Sequence, residues 1–472
     1  MTTIGLLPLA RATFDVDFAQ ECLTRALADL EATGHDLVGA RELLFDTEAT
    51  RAALDEVRAA RPDLVLVLQV TFTDAGMIAE IAETTDASLA IWAFPEPRLG
   101  GRLRLNAFCG LNLAGHALGL RDIAFSWSFH APGSTGSPAR LEALLAGAAR
   151  TAPVPLRAAR DTADAAARRA VAKLKGKRIA RLGAHPDGFD TCAYDAPEIE
   201  RVAGVSVAAL ELDALFDTAR AAPADASAAL KTELATTTQA LDAVDPSELD
   251  RSLRLKGALD RLTSEGGYNA FAVRCWPECF TEYGGAVCGP VALMGEARIP
   301  CACEADVHGA LTSLLLQEIA DAPTFLVDLV DIDTGDGKDS GTGVVWHCGQ
   351  APRVMADPEV AIEATVHSNR KMPLLFEFPL KAGRVTLARL SRARGRLQMV
   401  VITGEMLKRD KAFTGTSGVL RFDAPAQEIM RTILDAGLEH HMALVYGDYA
   451  EALERAADAL ALPVLRVPDR PS

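Results

Sequence analysis

The strongest constraint on the fold is the run Leu64–Val70, which is apolar on both faces of the predicted strand. A strand of this kind belongs in a parallel sheet with helices on both sides, because neither face suits water. The flanking sequence supports this interpretation, since the apolar runs Ile4–Leu9 and Leu89–Phe94 alternate with helical patterns such as Thr47–Ala60. Such alternation predicts a doubly wound α/β domain over residues 1–155.

Two further domains are predicted after this one. The strand-like run Arg178–Gly183 opens a second α/β alternation, over residues 156–320. Its stretch Ala219–Ala243 is rich in alanine, the residue with the highest helix propensity, and is predicted to be helical. From residue 321 to 472, strand-like runs follow one another between turn signals, which predicts a mainly β, barrel-like domain.

Composition and charge exclude several classes of function. The net charge of −16 lacks the basic footprint that nucleic-acid binding needs. No run reaches the length of a membrane span, and no Gly-x-Gly-x-x-Gly follows the first strand, so neither a membrane anchor nor a nicotinamide cofactor is expected. Nine cysteines without disulfide spacing favour a reducing, cytoplasmic location.

Side chains that suit one metal site occur in four distant segments. They are Glu304 with Asp306, Asp328, His347 and His441. Two carboxylates with one or two imidazoles suit a divalent ion such as Mn²⁺, which takes oxygen and nitrogen ligands and leaves positions for substrate. Carboxylates at such a metal can also move protons on a substrate that the metal chelates.

The same residues also have structural interpretations. Glu304 and Asp306 follow a strand-like run and could cap the helix predicted to begin near Gly309. Asp328 interrupts an apolar strand, where it could face solvent at an edge instead of a metal. His441 could be a satisfied core histidine before the apolar run that follows it.

The order and surroundings of these segments resemble the L-fucose/L-arabinose isomerase family, metal-dependent enzymes that interconvert aldoses and ketoses. Glu304 lies in Cys-Glu-Ala-Asp-Val-His-Gly-Ala, Asp328 follows 24 residues later, and His441 ends Glu-His-His near the C-terminus. His347 matches a further histidine of the arabinose branch. Gly-Tyr-Asn-Ala at 267–270 adds to the resemblance, which extends from about residue 4 to residue 468.

The resemblance implies two Rossmann-like domains, a β-rich C-terminal domain and a Mn²⁺-dependent aldose–ketose isomerase that converts an open-chain sugar through an enediolate. Glu304 and Asp328 would be catalytic and would ligate the metal with His441, while His347 would be a ligand or a hydrogen-bond partner. The family also implies a homo-oligomer, a trimer or hexamer, in which one subunit's first domain covers another's metal site. An epimerase or lyase on a polyhydroxylated substrate and a non-catalytic sugar-binding protein remain alternatives.

Two strand ends carry candidate sugar contacts. Gln69 and Thr73 lie at the end of a parallel strand, where open α/β sheets bind ligands. Trp276 could stack on a sugar face, and Arg274 or Glu278 could bind hydroxyls. Packing within loops is the alternative for both groups.

Overall fold

A computed structural model of the chain describes residues 2–223, 225–335 and 337–468. The described elements form three sheets, of five, four and nine strands. Two of the sheets are parallel and covered by helices, and the third is mixed and C-terminal, so the predicted fold class is confirmed. Among the described helices, none is both long and apolar enough to cross a membrane.

The first unit is a five-stranded parallel sheet with its helices. Its elements are β1 Thr3–Leu9, α1 Val16–Glu31, β2 Asp36–Gly39, α2 Thr47–Ala60, β3 Leu64–Gln69, α3 Gly76–Thr84, β4 Ser88–Ala93, α4 Ala107–Leu120, β5 Ser126–Phe129 and α5 Ser137–Leu145. The strand order is β2-β1-β3-β4-β5, and every residue of the central β3 is buried. Asp15 and Asp46 begin α1 and α2 by accepting hydrogen bonds from the backbone N–H of Phe18 and Ala49.

The second unit holds a four-stranded parallel sheet in the order β7-β6-β8-β9. Its elements are α6 Ala165–Ala172, β6 Arg178–Leu182, α7 Ala196–Ala203, β7 Ser206–Leu210, α8 Asp213–Arg220, α9 Ala228–Leu234, α10 Pro246–Gly266, β8 Ala270–Val273, α11 Cys288–Glu296, β9 Cys301–Ala302 and α12 Val307–Ala320. The predicted helix over Ala219–Ala243 is wrong, because α8 ends at Arg220 and α9 is a separate short helix. Pro223, which cannot donate a backbone hydrogen bond, lies between them.

The C-terminal part is built around a closed ring of six antiparallel strands. Its elements are β10 Phe325–Ile332, β11 Thr342–His347, β12 Glu363–Thr365, β13 Leu375–Pro379, β14 Gly383–Ser391, β15 Gln398–Met406, β16 Thr416–Phe422, α13 Ala426–Ala436, β17 His441–Tyr446, α14 Ala450–Ala459 and β18 Val464–Val467. The ring runs β16-β11-β10-β17-β14-β15 and closes because β15 also pairs with β16. This ring is the small barrel that the run of strand signals predicts.

The first and second units both pack against the barrel. Helix α12 packs against β8 of the second sheet and against β14 and β17 of the barrel. Helix α4 of the first unit packs on β10, where the Cys109 thiol is 3.7 Å from the backbone oxygen of Leu329. The turn before α12 and the barrel strands β10, β11 and β17 are therefore fixed next to one another, and they carry the candidate site.

Candidate metal centre and sugar cavity

Asp328 and His441 are brought together by the register of two barrel strands. They are direct cross-strand partners on the antiparallel strands β10 and β17, so their side chains leave the sheet on the same side. Oδ1 of Asp328 is 3.4 Å from Nε2 of His441, and both residues are buried. His347 at the end of β11 stacks on His441, with 5.6 Å between ring centroids.

Glu304 reaches this pair from the turn between β9 and α12. Its backbone and that of Ala305 have φ values of 59° and 57°, the left-handed region, which costs a non-glycine residue roughly 1–2 kcal/mol. Strain of this kind accumulates at functional sites. The carboxylate accepts hydrogen bonds from Trp276 Nε1 (3.1 Å) and His440 Nε2 (2.9 Å), and lies 3.8 Å from His441 Nε2.

Asp306 fixes the orientation of His441 by binding Nδ1, the ring nitrogen that does not face Asp328. Its carboxylate accepts a hydrogen bond from His441 Nδ1 (2.9 Å), caps α12 through the N–H of Gly309 (2.8 Å) and pairs with Arg389 (2.7 Å). Burial raises the pKa of Asp306, but Arg389 and His441 outweigh it and hold that pKa well below the usual range. The proton of the neutral His441 ring is therefore on Nδ1, and the Nε2 lone pair points towards Asp328, the arrangement typical of metal-binding histidines.

The two facing atoms fit a divalent cation. Among the described residues, Asp328 Oδ1 and His441 Nε2 are buried without a hydrogen-bond partner. When Asp328 is ionised and His441 is neutral, the two facing lone pairs, 3.4 Å apart, repel each other, and a divalent cation held by both atoms would remove that repulsion. Asp328, His347 and His441 also form a group whose ligand atoms lie within 4.8 Å of one another.

His347 differs from His441 in the position of its ring proton. Its Nδ1 accepts a hydrogen bond from the backbone N–H of Cys348 at 2.9 Å, which leaves the proton of the neutral ring on Nε2. This Nε2 is buried and has no partner among the described residues. A protonated nitrogen donates a hydrogen bond and does not bind a metal, so this contact favours the hydrogen-bond role that the sequence left open.

The two carboxylates have pKa values shifted in opposite directions. Burial opposes ionisation of Glu304, but the hydrogen bond from His440 and the charges of His440 and His441 lower its pKa to about 2. Burial, with a smaller contribution from the charge of Glu304, raises the pKa of Asp328 to about 7, against the effect of His441. Paired groups with separated pKa values are typical of acid–base sites.

A cavity of about 400 Å³ opens in front of these groups. All three units line it, with Arg11, Phe72 and Asn106 from the first unit, Trp276 from the second, and the barrel loop 367–370. Arg11 lies over the rings of Phe72 and Trp276, at 5.6 and 5.4 Å from their centroids. The cavity has the mixture of aromatic faces and polar groups that sugar recognition uses.

Of the five predicted sugar contacts, Trp276 lines this cavity. Gln69 and Thr73 are hydrogen-bonded to each other (2.9 Å), and Gln69 also donates to the backbone oxygen of Thr71. Arg274 and Glu278 form an ion pair (2.7 Å) beside the strand end. Arg274 also donates to the backbone oxygens of Ala184 and His185, and none of these four side chains is among the residues that line the cavity.

Several polar residues of the cavity wall, Asn106 and Arg370 among them, were not predicted from the sequence. Asn106 precedes α4 in a left-handed conformation (φ 50°), and its side chain makes no capping hydrogen bond. Its buried Oδ1 has no partner within the described part of the chain. Nothing in the local sequence indicates that either residue lines the same cavity as Glu304.

Comparison with known proteins agrees with this geometry. The model for the N-terminal domain of fucose/sulfoquinovose isomerases matches residues 5–150, and the model for the C-terminal domain of L-fucose isomerase matches residues 345–467. His347 and His441 lie inside the second match, whereas Glu304 and Asp328 lie between the two.

Individual relatives extend the similarity along the whole chain. A sulfoquinovose isomerase of Alkalicoccus urumqiensis is 28% identical over 470 residues, which cover 99% of this chain and 100% of the relative. Another, of Priestia aryabhattai, is 28% identical over 454 residues, 96% of each chain. A crystal structure of a solute-binding protein from Agrobacterium vitis with α-D-tagatopyranose shares 12% identity, covering 68% of this chain and 90% of that one, with a TM-score of only 0.18. The chain belongs to the fucose isomerase-like family of aldose–ketose isomerases.

Proposed function

We propose that the protein interconverts an open-chain aldose and its ketose with the help of Mn²⁺ or another divalent transition metal. Asp328 and His441 would hold the ion, and Glu304 would complete the set from the turn before α12. The observation that carries the proposal is the pair of buried, unpartnered atoms, Asp328 Oδ1 and His441 Nε2, that face each other at 3.4 Å. A site of oxygen and nitrogen donors suits such a metal.

The reaction needs a proton to leave one carbon of the sugar and return to its neighbour. A bound metal would supply positive charge that stabilises the enediolate between these two events. Glu304 and Asp328 would lie on opposite sides of the C1–C2 edge, where one carboxylate removes the proton and the other supplies or relays it. The pKa of about 7 for Asp328 in the metal-free protein shows how strongly its surroundings can favour the protonated form.

Neighbouring groups would orient the sugar. His347 Nε2–H would donate a hydrogen bond to a substrate oxygen, and Asn106 Oδ1 would accept one from a hydroxyl. Trp276 offers an aromatic face in the cavity while its Nε1 holds Glu304. Sulfoquinovose, the substrate in the names of the relatives, is the first sugar to test, followed by fucose and arabinose.

We also propose that the protein is a homo-oligomer and that it is cytoplasmic. A homo-oligomer, a trimer or hexamer, would cover the cavity mouth, where Phe45 is 39% exposed. A cytoplasmic location suits the nine cysteines, which are all free thiols. These parts rest on the family and on composition, and the activity can be tested without them.

Metal replacement tests the activity. Protein treated with a chelator should lose turnover of the sugar panel and regain it with Mn²⁺, whereas Ca²⁺ should restore little because it prefers an all-oxygen shell. Asp328→Asn should remain inactive after reloading, and Asp122→Asn, whose carboxylate is 93% exposed, is the matched control. Full turnover in the chelator, or sugar binding without turnover under every condition, would contradict the proposal.

A further inference from the structure

Arg370 is a cation in the cavity wall that has no counter-ion within the described part of the chain. It is half-buried and lines the cavity, and among the described residues its guanidinium makes no ion pair and no hydrogen bond. The other arginine of the wall, Arg11, is paired with Asp74 at 2.5 Å. A partly desolvated charge without a partner is unfavourable, and in a binding cavity the ligand can supply the partner.

The loop that carries Arg370 is held in place before any ligand arrives. The backbone N–H groups of Asn369 and Arg370 both donate to Nδ1 of His367 at 3.2 Å. The ring of His367 packs on Phe280 with 5.1 Å between centroids. Arg102 of the first unit donates to Oδ1 of Asn369 at 2.9 Å, which ties the loop to the first unit. Such preorganisation lowers the entropic cost of binding.

The charges around the cavity add up to one unpaired positive charge. Glu304 and Asp328 would be neutralised by a divalent metal, and Arg11 is neutralised by Asp74. Arg370 remains. A neutral sugar would leave this charge unpaired in the complex, whereas a sugar with an anionic group would pair it.

We propose that the sugar carries a tetrahedral anionic group, a sulfonate or phosphate, and that Arg370 is the residue that selects it. The inference rests on the proposed isomerase function and adds the chemical class of the substrate. The planar guanidinium can give two parallel N–H donors to such a group. A sulfonate, with one negative charge, balances the cavity more closely than a phosphate with two.

A comparison of substrates that differ only at C6 tests the proposal. Sulfoquinovose, glucose 6-phosphate and the neutral 6-deoxyglucose are compared by kcat and KM with the Mn²⁺-loaded enzyme. Wild type should favour sulfoquinovose over 6-deoxyglucose by roughly 10- to 100-fold in kcat/KM, the range for a charge-assisted hydrogen-bonded pair. Arg370→Met should lower kcat/KM for sulfoquinovose roughly tenfold or more relative to 6-deoxyglucose, mainly through KM, and Arg370→Lys should restore part of the preference.

The adjacent Lys371 provides the matched control. It lies in the same loop, is exposed and is not part of the cavity wall, so Lys371→Met removes one positive charge without removing the proposed contact. This variant should keep the wild-type preference. An equal loss for charged and neutral sugars in Arg370→Met, or an equal effect of Lys371→Met, would overturn the proposal.

A binding measurement separates this inference from the isomerase proposal. The sulfonated alditol 6-deoxy-6-sulfoglucitol has no carbonyl and cannot isomerise, so calorimetry reports its affinity whether or not the protein is an isomerase. Binding that weakens at least tenfold in Arg370→Met, but not in Lys371→Met, supports the anion site even if no sugar is converted. Equal affinity in wild type and Arg370→Met refutes the anion site even if the enzyme isomerises sugars. A lower KM for glucose 6-phosphate than for sulfoquinovose would show that the site prefers phosphate.

Discussion

Asp328 and His441 stand directly opposite each other on two antiparallel strands of the barrel, and the atoms that face each other, Oδ1 and Nε2, have no other partner among the described residues. A closed barrel fixes this register, because a shift of one residue would turn one side chain to the other face of the sheet. Glu304 is added from a different unit by the turn before α12. The site therefore depends on the barrel and on its contact with the second sheet.

The stability of the metal-free protein should fall as pH rises through neutrality. The pKa of Asp328 is raised to about 7 in the folded state, mainly by burial, from its ordinary value of 3.8. A raised carboxyl pKa contributes stability that is fully present below pH 3.8 and is lost as pH rises to about 7, by at most about 4 kcal/mol. Denaturant unfolding between pH 5 and 8 measures this slope together with that of Glu96, whose pKa burial also raises to about 7.

Asp328→Asn is the control for this effect. It removes the titrating group, so the free energy of unfolding of the variant should change less with pH than that of wild type. Metal binding needs the ionised carboxylate, so saturating Mn²⁺ should stabilise wild type most above pH 7 and much less at pH 5. The same pH slope in Asp328→Asn would show that another group is responsible.

Asp306 is expected to act as a positioning residue through His441. Asp306→Asn removes a buried charge next to Arg389, which should destabilise the fold by about 3–5 kcal/mol. The neutral amide is a weaker acceptor for His441 Nδ1–H than the carboxylate, so Mn²⁺ binding should also weaken by about 10- to 100-fold. Thermal unfolding with and without metal measures both effects, and the exposed Asp122→Asn should change neither.

His347 should act on the substrate and not on the metal. His347→Phe keeps a ring against His441 and removes the Nε2–H group, so kcat should fall by about 10²- to 10³-fold, as when an oxyanion-stabilising donor is removed. The Mn²⁺ affinity, measured by titration of free Mn²⁺ with electron paramagnetic resonance, should change less than about threefold. His441→Phe is the comparison and should abolish binding. Equal loss of metal in both variants would make His347 a ligand.

A neighbouring subunit should cover the cavity mouth. Leu99 is 77% exposed, the largest exposed fraction among the described big apolar side chains, and it follows Arg98, whose guanidinium pairs with Asp331 of the barrel. Light scattering should show a trimer or hexamer with closed symmetry. Leu99→Asp should dissociate it and lower activity. A wild-type monomer with full activity would contradict this prediction.

The local elements were more predictable from sequence than the site. The helix over Thr47–Ala60 follows from its local pattern and was predicted with the observed bounds, and the strand predicted over Leu64–Val70 is observed over Leu64–Gln69. The continuous helix predicted over Ala219–Ala243 was wrong, because a high alanine content favours a helix but does not show where the helix ends. Glu304 and Asp328 were predicted as site residues from the family resemblance. Asp328 and His441 face each other because of the register between two strands. Arg370 reaches the cavity because of how its loop packs. Neither the register nor the loop packing can be predicted from local sequence.

Solvent deuterium incorporation tests the central claim most directly. The Mn²⁺-loaded protein is incubated with sulfoquinovose in D₂O, and the ketose and recovered aldose are examined by NMR. If Glu304 and Asp328 move a proton through an enediolate, deuterium from solvent should appear at C1 of the ketose and, on reversal, at C2 of the aldose. A ketose that keeps all of its original carbon-bound hydrogen would contradict the account and indicate direct hydride transfer between the two carbons.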